Sequence, residues 1–208
     1  VYFNDILTDL DGLSSLDQIS TDVGIGGNSA LTDIDGLANV TRVRSIRIGS
    51  TAGILSNGNP SGNPALTNID GLANVTIVGG NLNIYNNAAL TNIDGLASVT
   101  SVGDDLNISN NAALTNVDGL ANVTSVGDDL NIQNNNILPN VDGLINIASV
   151  GGLLRVVGNT SMSSCEGVAL LLGWPNGPPD DSVNGSISIN SNSTRCNSLA
   201  EVIASVSG

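Results

Sequence analysis

The 208-residue sequence contains no histidine, no lysine and only four aromatic residues. Without histidine it can form neither a serine–histidine catalytic pair nor a zinc site of the usual kind. Its basic residues number 5 against 19 acidic ones, and the formal net charge is −14. Because such a surface repels phosphate backbones, we exclude nucleic acid as a partner. No run of 18 apolar residues occurs, which excludes a membrane-spanning helix.

Apolar residues nevertheless make up 40% of the sequence, and the mean hydropathy is +0.20. The chain therefore has the composition of a folded protein whose core consists of aliphatic rather than aromatic side chains. Its two cysteines are Cys165 and Cys196. In a lysine-free, acidic chain rich in Asn, Ser and Thr they predict one disulfide formed in an oxidising compartment. We therefore expect a secreted or cell-surface protein, with two buried free thiols as the alternative.

An internal repeat organises the chain. It is anchored on Asp-Gly pairs at spacings of 24, 35, 24, 24 and 24 residues, and Glu166-Gly167 continues the series. The longer step is one repeat that carries an insertion of about 11 residues, within residues 49–62. The anchor residues are Asp11, Asp35, Asp70, Asp94, Asp118, Asp142 and Glu166.

Within each repeat, apolar residues occur at every third position and then, toward the end of the repeat, at every second position. Asn, Thr and Gly fill the sites between them, and the Asp-Gly pair interrupts each run, so these segments are poor helix formers. The Gly-x-Leu-x-Ile-x-x-Asn segment alternates like a short strand. The pattern predicts an all-β-rich solenoid of about seven coils over residues 1–168, with inward Leu, Ile and Val stacked between coils. Residues 169–208 are expected to form a short helical cap that the disulfide joins to the last repeat.

The runs LTNIDGLANV and VGGNLNIYNN resemble the extracellular leucine-rich-repeat proteins of the receptor L-domain-like type. This resemblance covers about residues 4–168 and implies a domain that binds or adheres rather than catalyses. The repeats lack a helix-forming stretch on the convex side, which favours a straighter β-solenoid than a horseshoe.

Two polar columns follow the repeat. An asparagine stands seven residues before each anchor, and we expect its amide to bond the backbone of neighbouring coils. The anchor aspartates are expected to form Asx-type turns, with a row of calcium sites as the alternative. Asp104, Asp105, Asp128 and Asp129 form a second acidic edge. This edge is either a solvated turn or a patch for calcium or a cationic partner; no aromatic cleft accompanies it as a glycosidase would require.

The outward positions of the strand segments give a candidate ligand face. Its residues are Asn83, Tyr85, Asn107, Ser109, Asn131 and Gln133, followed by Arg155, with Gly24 and Arg47 at approximately equivalent earlier positions. Threonine columns lie three residues before and six residues after the anchors. Such regular polar columns suit a repetitive ligand.

No nucleophile–base pair, phosphate loop or metal cluster is recognisable, so we expect no enzyme and no cofactor. The sequence favours a non-catalytic recognition or adhesion domain that binds an extracellular glycan or protein. One alternative is an ice-binding solenoid. Another is a structural subunit that assembles with further copies end to end, because an uncapped solenoid end exposes apolar residues and unpaired strand groups.

Overall fold

The computed structural model describes residues 1–49, 62–173 and 182–205, and it folds these residues as a repeat β-solenoid. Most of the insertion expected within residues 49–62 lies outside the described residues. In the part of the chain that the structure describes, each of the five complete inner repeats contributes one 3₁₀ turn and two short strands, whereas the first and last repeats contribute one strand each. The predicted repeat solenoid of short strands is thereby confirmed.

The strands are β1 (Val23–Ile25), β2 (Arg42–Val43), β3 (Ile46–Ile48), β4 (Ile77–Val78), β5 (Leu82–Tyr85), β6 (Ser101–Val102), β7 (Leu106–Ser109), β8 (Ser125–Val126), β9 (Leu130–Gln133), β10 (Ser149–Val150), β11 (Leu154–Val157) and β12 (Ile187–Asn190). They form two parallel sheets. The long sheet has the order β1-β3-β5-β7-β9-β11-β12, and the short sheet has the order β2-β4-β6-β8-β10. Pairing is in register, so equivalent residues of successive repeats stand side by side.

A 3₁₀ turn begins at each anchor aspartate, as in Asp118–Leu120. The side chain two residues earlier forms the Asx turn: Asn116 Oδ1 accepts the Asp118 N–H at 3.1 Å. The anchor carboxylate does not supply this acceptor, contrary to our expectation. Coils meet closely here, because a Cβ placed on Gly119 would collide with the carbonyl oxygen of Ile93. This contact explains why glycine follows the anchor.

The remaining turns occupy the same place in the other repeats: Asp11–Leu13, Asp35–Leu37, Asp70–Leu72, Asp94–Leu96 and Asp142–Leu144.

Between the sheets and turns lies one aliphatic core. Leu114, Val117, Leu120 and Val123, for example, are fully buried within a single repeat. Stacked aliphatic columns of this kind fill the interior without aromatic side chains.

A buried asparagine ladder runs along one side of the core; its members are Asn28, Asn63, Asn87, Asn111, Asn135 and Asn159. Asn111 illustrates the pattern: Oδ1 accepts the Asn87 N–H at 3.1 Å. Its Nδ2 donates to Ile84 O at 3.1 Å. The amides thus satisfy backbone groups that a turn would leave unpaired, as the sequence predicted.

Where the structure describes it, the C-terminal part forms helices α1 (Glu166–Leu171) and α2 (Leu199–Ser205). Helix α1 begins at the last anchor and packs on the 3₁₀ turn at Asp142–Leu144. Strand β12 extends the long sheet beside β11. The predicted disulfide is present: Cys165 and Cys196 are bonded, with Cα atoms 5.7 Å apart. Among the described residues, no helix is both long enough and apolar enough to span a bilayer.

Candidate ligand-binding face

The outer surface of the long sheet, called the ligand face here, carries two adjacent columns of polar side chains. Strand register places Asn83, Asn107 and Asn131 in the first column. It places Tyr85, Ser109 and Gln133 two residues further along the same strands. The six residues chosen from the sequence therefore share one surface, at the strand spacing of about 4.8 Å.

The three asparagines of the first column form an amide ladder. Asn107 Nδ2 donates to Asn83 Oδ1 at 2.9 Å, and Asn131 Nδ2 donates to Asn107 Oδ1 at 2.7 Å. Asn83 and Asn131 are only 7% and 9% exposed. A ligand would therefore meet the edges of a closed, ordered ladder rather than three extended side chains. Such an arrangement loses little conformational freedom on binding.

Tyr85 is anchored to this ladder, because its hydroxyl donates to Asn83 Oδ1 at 2.8 Å. Burial raises the pKa of Tyr85 to about 12, and the nearby Asp105 carboxylate adds to the rise while Arg47 opposes it. The phenol therefore remains a protonated donor throughout the neutral range.

A groove of about 320 Å³ continues the ligand face toward the first repeats. Its lining includes Tyr2, Arg44, Arg47, Asn81 and Asn83. Tyr2 contributes an aromatic ring, and the arginines and asparagines contribute hydrogen-bond donors. The groove is therefore concave and mainly polar, with several hydrogen-bonding side chains beside one aromatic ring.

One wall of the groove is held by an ion pair. Arg44 donates from Nε and Nη2 to the two carboxylate oxygens of Asp22, each at 2.9 Å. The guanidinium lowers the pKa of Asp22, and the carboxylate raises the pKa of Arg44. Both side chains are well exposed, so this pair orders the wall and adds little to stability.

Asp104, Asp105, Asp128 and Asp129, the acidic edge, lie beside the strands that carry the amide ladder. Carboxylate oxygens of Asp105, Asp128 and Asp129 lie within 4.8 Å of one another, and this group does not include Asp104. Repulsion from Asp129 raises the pKa of Asp128, and burial and the carboxylates of Asp105 and Asp104 contribute less.

Two carboxylates of the acidic edge accept backbone hydrogen bonds. Asp105 Oδ1 accepts the Asp129 N–H at 3.2 Å, and Asp129 Oδ1 accepts the Leu153 N–H at 2.9 Å. The same column includes two earlier bonds: Asn81 Oδ1 accepts the Asp105 N–H at 3.1 Å, and Ser45 Oγ accepts the Asn81 N–H at 3.3 Å. The group therefore supports the backbone between coils, and its three carboxylates have the hard oxygen chemistry that calcium prefers.

The anchor aspartates form a separate exposed row. Burial raises the pKa values of Asp35, Asp94 and Asp142, and the adjacent acidic residues raise them further; for Asp94 these are Asp118 and Asp70. In these three aspartates burial is the larger cause, and repulsion between carboxylates at coil spacing contributes as well.

The alanine–threonine face lies on another side of the solenoid and is formed by residues 63–68, 87–92, 111–116, 135–140 and 159–164. None of these segments contains a charged side chain. The exposed Thr67, Thr91 and Thr115 each donate their hydroxyl to the threonine carbonyl of the preceding repeat, at 3.2, 3.4 and 2.9 Å. Pro139 interrupts this column.

Sequence reasoning identified the columns but missed the groove. Tyr2, Asp22, Arg44 and Asn81 come from different repeats and share no motif. Four other lining residues did carry a sequence signal: Asn83 and Asp104 were candidates, and Gly24 and Arg47 were approximate equivalents of Asn83. Strand pairing places Gly24 beside Arg47 and Arg47 beside Asn83.

The fold and the face define a repeat β-solenoid with an ordered polar surface. No family model matches the sequence, and neither the curated proteins nor the solved structures provide a significant match.

Proposed function

We propose that this chain is a non-catalytic recognition domain that binds an extracellular glycan on the ligand face. The observation that carries this proposal is the continuity between the amide ladder and the groove at Tyr2 and Arg47. The ladder supplies both donors and acceptors at a spacing of about 4.8 Å, which suits the hydroxyl groups of successive sugars. Tyr2 provides an aromatic surface for a sugar ring.

The disulfide supports an extracellular or cell-surface location, because such bonds persist in oxidising compartments. The leucine-rich-repeat resemblance of the receptor L-domain-like type, with about seven coils of 24 residues, also belongs to this proposal. Domains of that type bind or adhere, which agrees with a polar, preorganised face.

A glycan array probed with the purified chain tests the proposal. We expect selective binding to at least one polysaccharide, and we expect Asn107→Ala to weaken it at least tenfold because both ladder bonds pass through Asn107. Asn136→Ala is the matched control, since this exposed asparagine lies in a turn off the ligand face. Glycan binding that is absent, or equal in the two variants, would refute the proposal.

Ice binding is a second candidate, favoured by the alanine–threonine face. This face is uncharged over five successive repeats, and its threonine hydroxyls are fixed alike by the bonds between coils. Thermal hysteresis and ice shaping would test it. Thr91→Tyr should abolish the activity, while the same substitution at Thr100, on a different side of the coil, should leave it intact.

Self-assembly through the first repeat is a third candidate. Apolar side chains are exposed there, including Phe3 at 59% and Ile6 at 92%. Light scattering over a range of protein concentrations tests this candidate. A mass that rises with concentration in the parent chain and not in Ile6→Asp would support it, and a constant monomer mass would refute it.

A further inference from the structure

Two arginines bracket the amide ladder. Arg47 pairs in register with Asn83, and Arg155 pairs in register with Asn131. The column on the ligand face therefore reads Arg47, Asn83, Asn107, Asn131 and Arg155. Both arginines are exposed. These arginines are two of the five basic residues in a chain whose net charge is −14.

Neither guanidinium is neutralised within the described part of the chain. The ion pair found there joins Arg44 to Asp22, so Asp22 is already engaged and Arg47 is the unpaired cation of the groove. The Arg155 guanidinium likewise has no hydrogen-bond or ion-pair partner among the described residues. Two unpaired arginines on one column are suited to binding carboxylate groups of a ligand.

The separation between the arginines follows from the strand order. Strands β3 and β11 are four steps apart in the long sheet. At about 4.8 Å per step, their equivalent positions lie about 19 Å apart, close to the length of an extended tetrasaccharide. The positions between them carry uncharged amides.

The acidic edge disfavours negative charge on the part of a ligand that lies between Arg47 and Arg155. Asp105 and Asp129 stand immediately before the strands that carry Asn107 and Asn131. Each accepts a backbone N–H, and the ion pair found among the described residues involves neither of them, so both carboxylates stand on that flank without a cationic partner there. An anionic group placed at the middle of the ladder would be repelled, whereas anionic groups at its ends would be attracted.

We propose that the glycan bound on the ligand face is an extended acidic polysaccharide with widely spaced carboxylates, about one uronate in every four sugars, and that Arg47 and Arg155 each bind one carboxylate. This proposal rests on the proposed function and specifies its substrate class. The neutral sugars between the two carboxylates contact Asn83, Asn107 and Asn131.

Isothermal titration calorimetry with three defined oligosaccharides tests this inference. The probes are an oligomer of deacylated gellan with three tetrasaccharide repeats and one glucuronate per repeat, an oligogalacturonate of similar length, and a neutral cello-oligosaccharide. We expect the gellan oligomer to bind more tightly than both. Its affinity should fall as ionic strength rises from about 0.05 to about 0.5 M, because the Debye length shortens.

Substitution of the two arginines provides the residue-level test. Arg47→Gln and Arg155→Gln should each weaken gellan binding about fivefold, as expected for one exposed charge pair, and should reduce its salt dependence. The matched control is Arg42→Gln, since Arg42 is exposed on the short sheet. It should leave the affinity unchanged.

The outcomes separate this inference from the function on which it rests. Tighter binding of the cello-oligosaccharide or of the oligogalacturonate would overturn the spacing of charges proposed here. Equal effects of the substitutions at Arg42, Arg47 and Arg155 would overturn the role of the two arginines. In each of these cases, loss of binding in Asn107→Ala would still support glycan recognition, whereas the absence of any glycan binding would overturn both.

Discussion

Replacing Asn111 by alanine should destabilise the protein strongly, because this residue joins three successive repeats through its buried amide. Asn111 is fully buried. Its Oδ1 accepts the backbone N–H of Asn87 at 3.1 Å, and its Nδ2 donates to Ile84 O at 3.1 Å and to Asn135 Oδ1 at 3.3 Å. Alanine can make none of these bonds.

The expected magnitude follows from the groups that lose their partners. The Asn87 N–H loses its acceptor, and Ile84 O loses a donor, in a place where water does not reach. Each such loss costs about 1–3 kcal/mol, so we expect the free energy of unfolding to fall by about 4 kcal/mol. This is a large part of the stability of a typical domain.

Asn4 supplies a matched control, because it stands one repeat before Asn28, the first member of the buried asparagine ladder, and is itself exposed. Asn4 Nδ2 donates to Tyr2 O at 2.9 Å and to Asn28 Oδ1 at 3.4 Å, but Asn4 itself is exposed. Water can replace these bonds in Asn4→Ala, so we expect a loss of less than about 1 kcal/mol.

Urea unfolding followed by far-UV circular dichroism measures both variants. The comparison requires equal urea dependence of the free energy, because a repeat protein can unfold in parts and then expose less surface in the transition. If Asn111→Ala and Asn4→Ala differ by less than about 1 kcal/mol at equal urea dependence, the buried asparagine ladder does not stabilise the solenoid as argued here.

Three further predictions concern the turns, the anchor row and the disulfide. Gly119→Ala should lower the free energy of unfolding by about 3 kcal/mol or more, because its new Cβ would collide with the preceding coil. Gly12→Ala, at the equivalent turn of the first repeat, should be nearly neutral, because no atom lies within 4 Å of its Cβ position. Similar melting temperatures of the two variants would contradict this. The raised pKa values of Asp35, Asp94 and Asp142 mean that the ionised forms of these three carboxylates oppose folding. The melting temperature should therefore rise as the pH falls from 7 through the raised pKa values of the folded state, and it should level off near the ordinary pKa of 3.8. Asp94→Asn should reduce this rise. A melting temperature that falls over the same pH range would refute the prediction. Joint replacement of Cys165 and Cys196 by serine should lower stability by about 4 kcal/mol, the loop-closure value for a sequence separation of 31 residues, and a loss below about 1 kcal/mol in urea unfolding would contradict it.

The repeat made much of the fold predictable. Columns of Leu, Ile and Val at constant positions can be buried only if equivalent residues stack, and this requirement led directly to parallel strands in register. The buried asparagine ladder was predictable for the same reason, since one amide at a fixed place in every coil finds the same backbone partners each time. The disulfide followed from having two cysteines in a chain of this composition.

Short-range details of the turns were less predictable. Both the anchor aspartate and the residue two positions earlier carry a suitable oxygen, and the Asx acceptor is the earlier one, as with Asn116 and Asp118. The sequence spacing does not show which of these two side chains accepts the backbone N–H, because that depends on the backbone torsion angles of the turn. The start of α1 at Glu166 likewise depends on packing against the preceding turn.

The sequence by itself therefore determined the solenoid, its aliphatic core and the polar columns, because a repeated pattern repeats the same local environment. Only the tertiary structure decided what those columns can bind. It showed that Asn83 and Asn131 are largely covered, because the ladder amides bond to one another. It also placed Arg47 directly beside Asn83 despite the 11-residue insertion between their repeats, because strand pairing rather than sequence spacing sets the register.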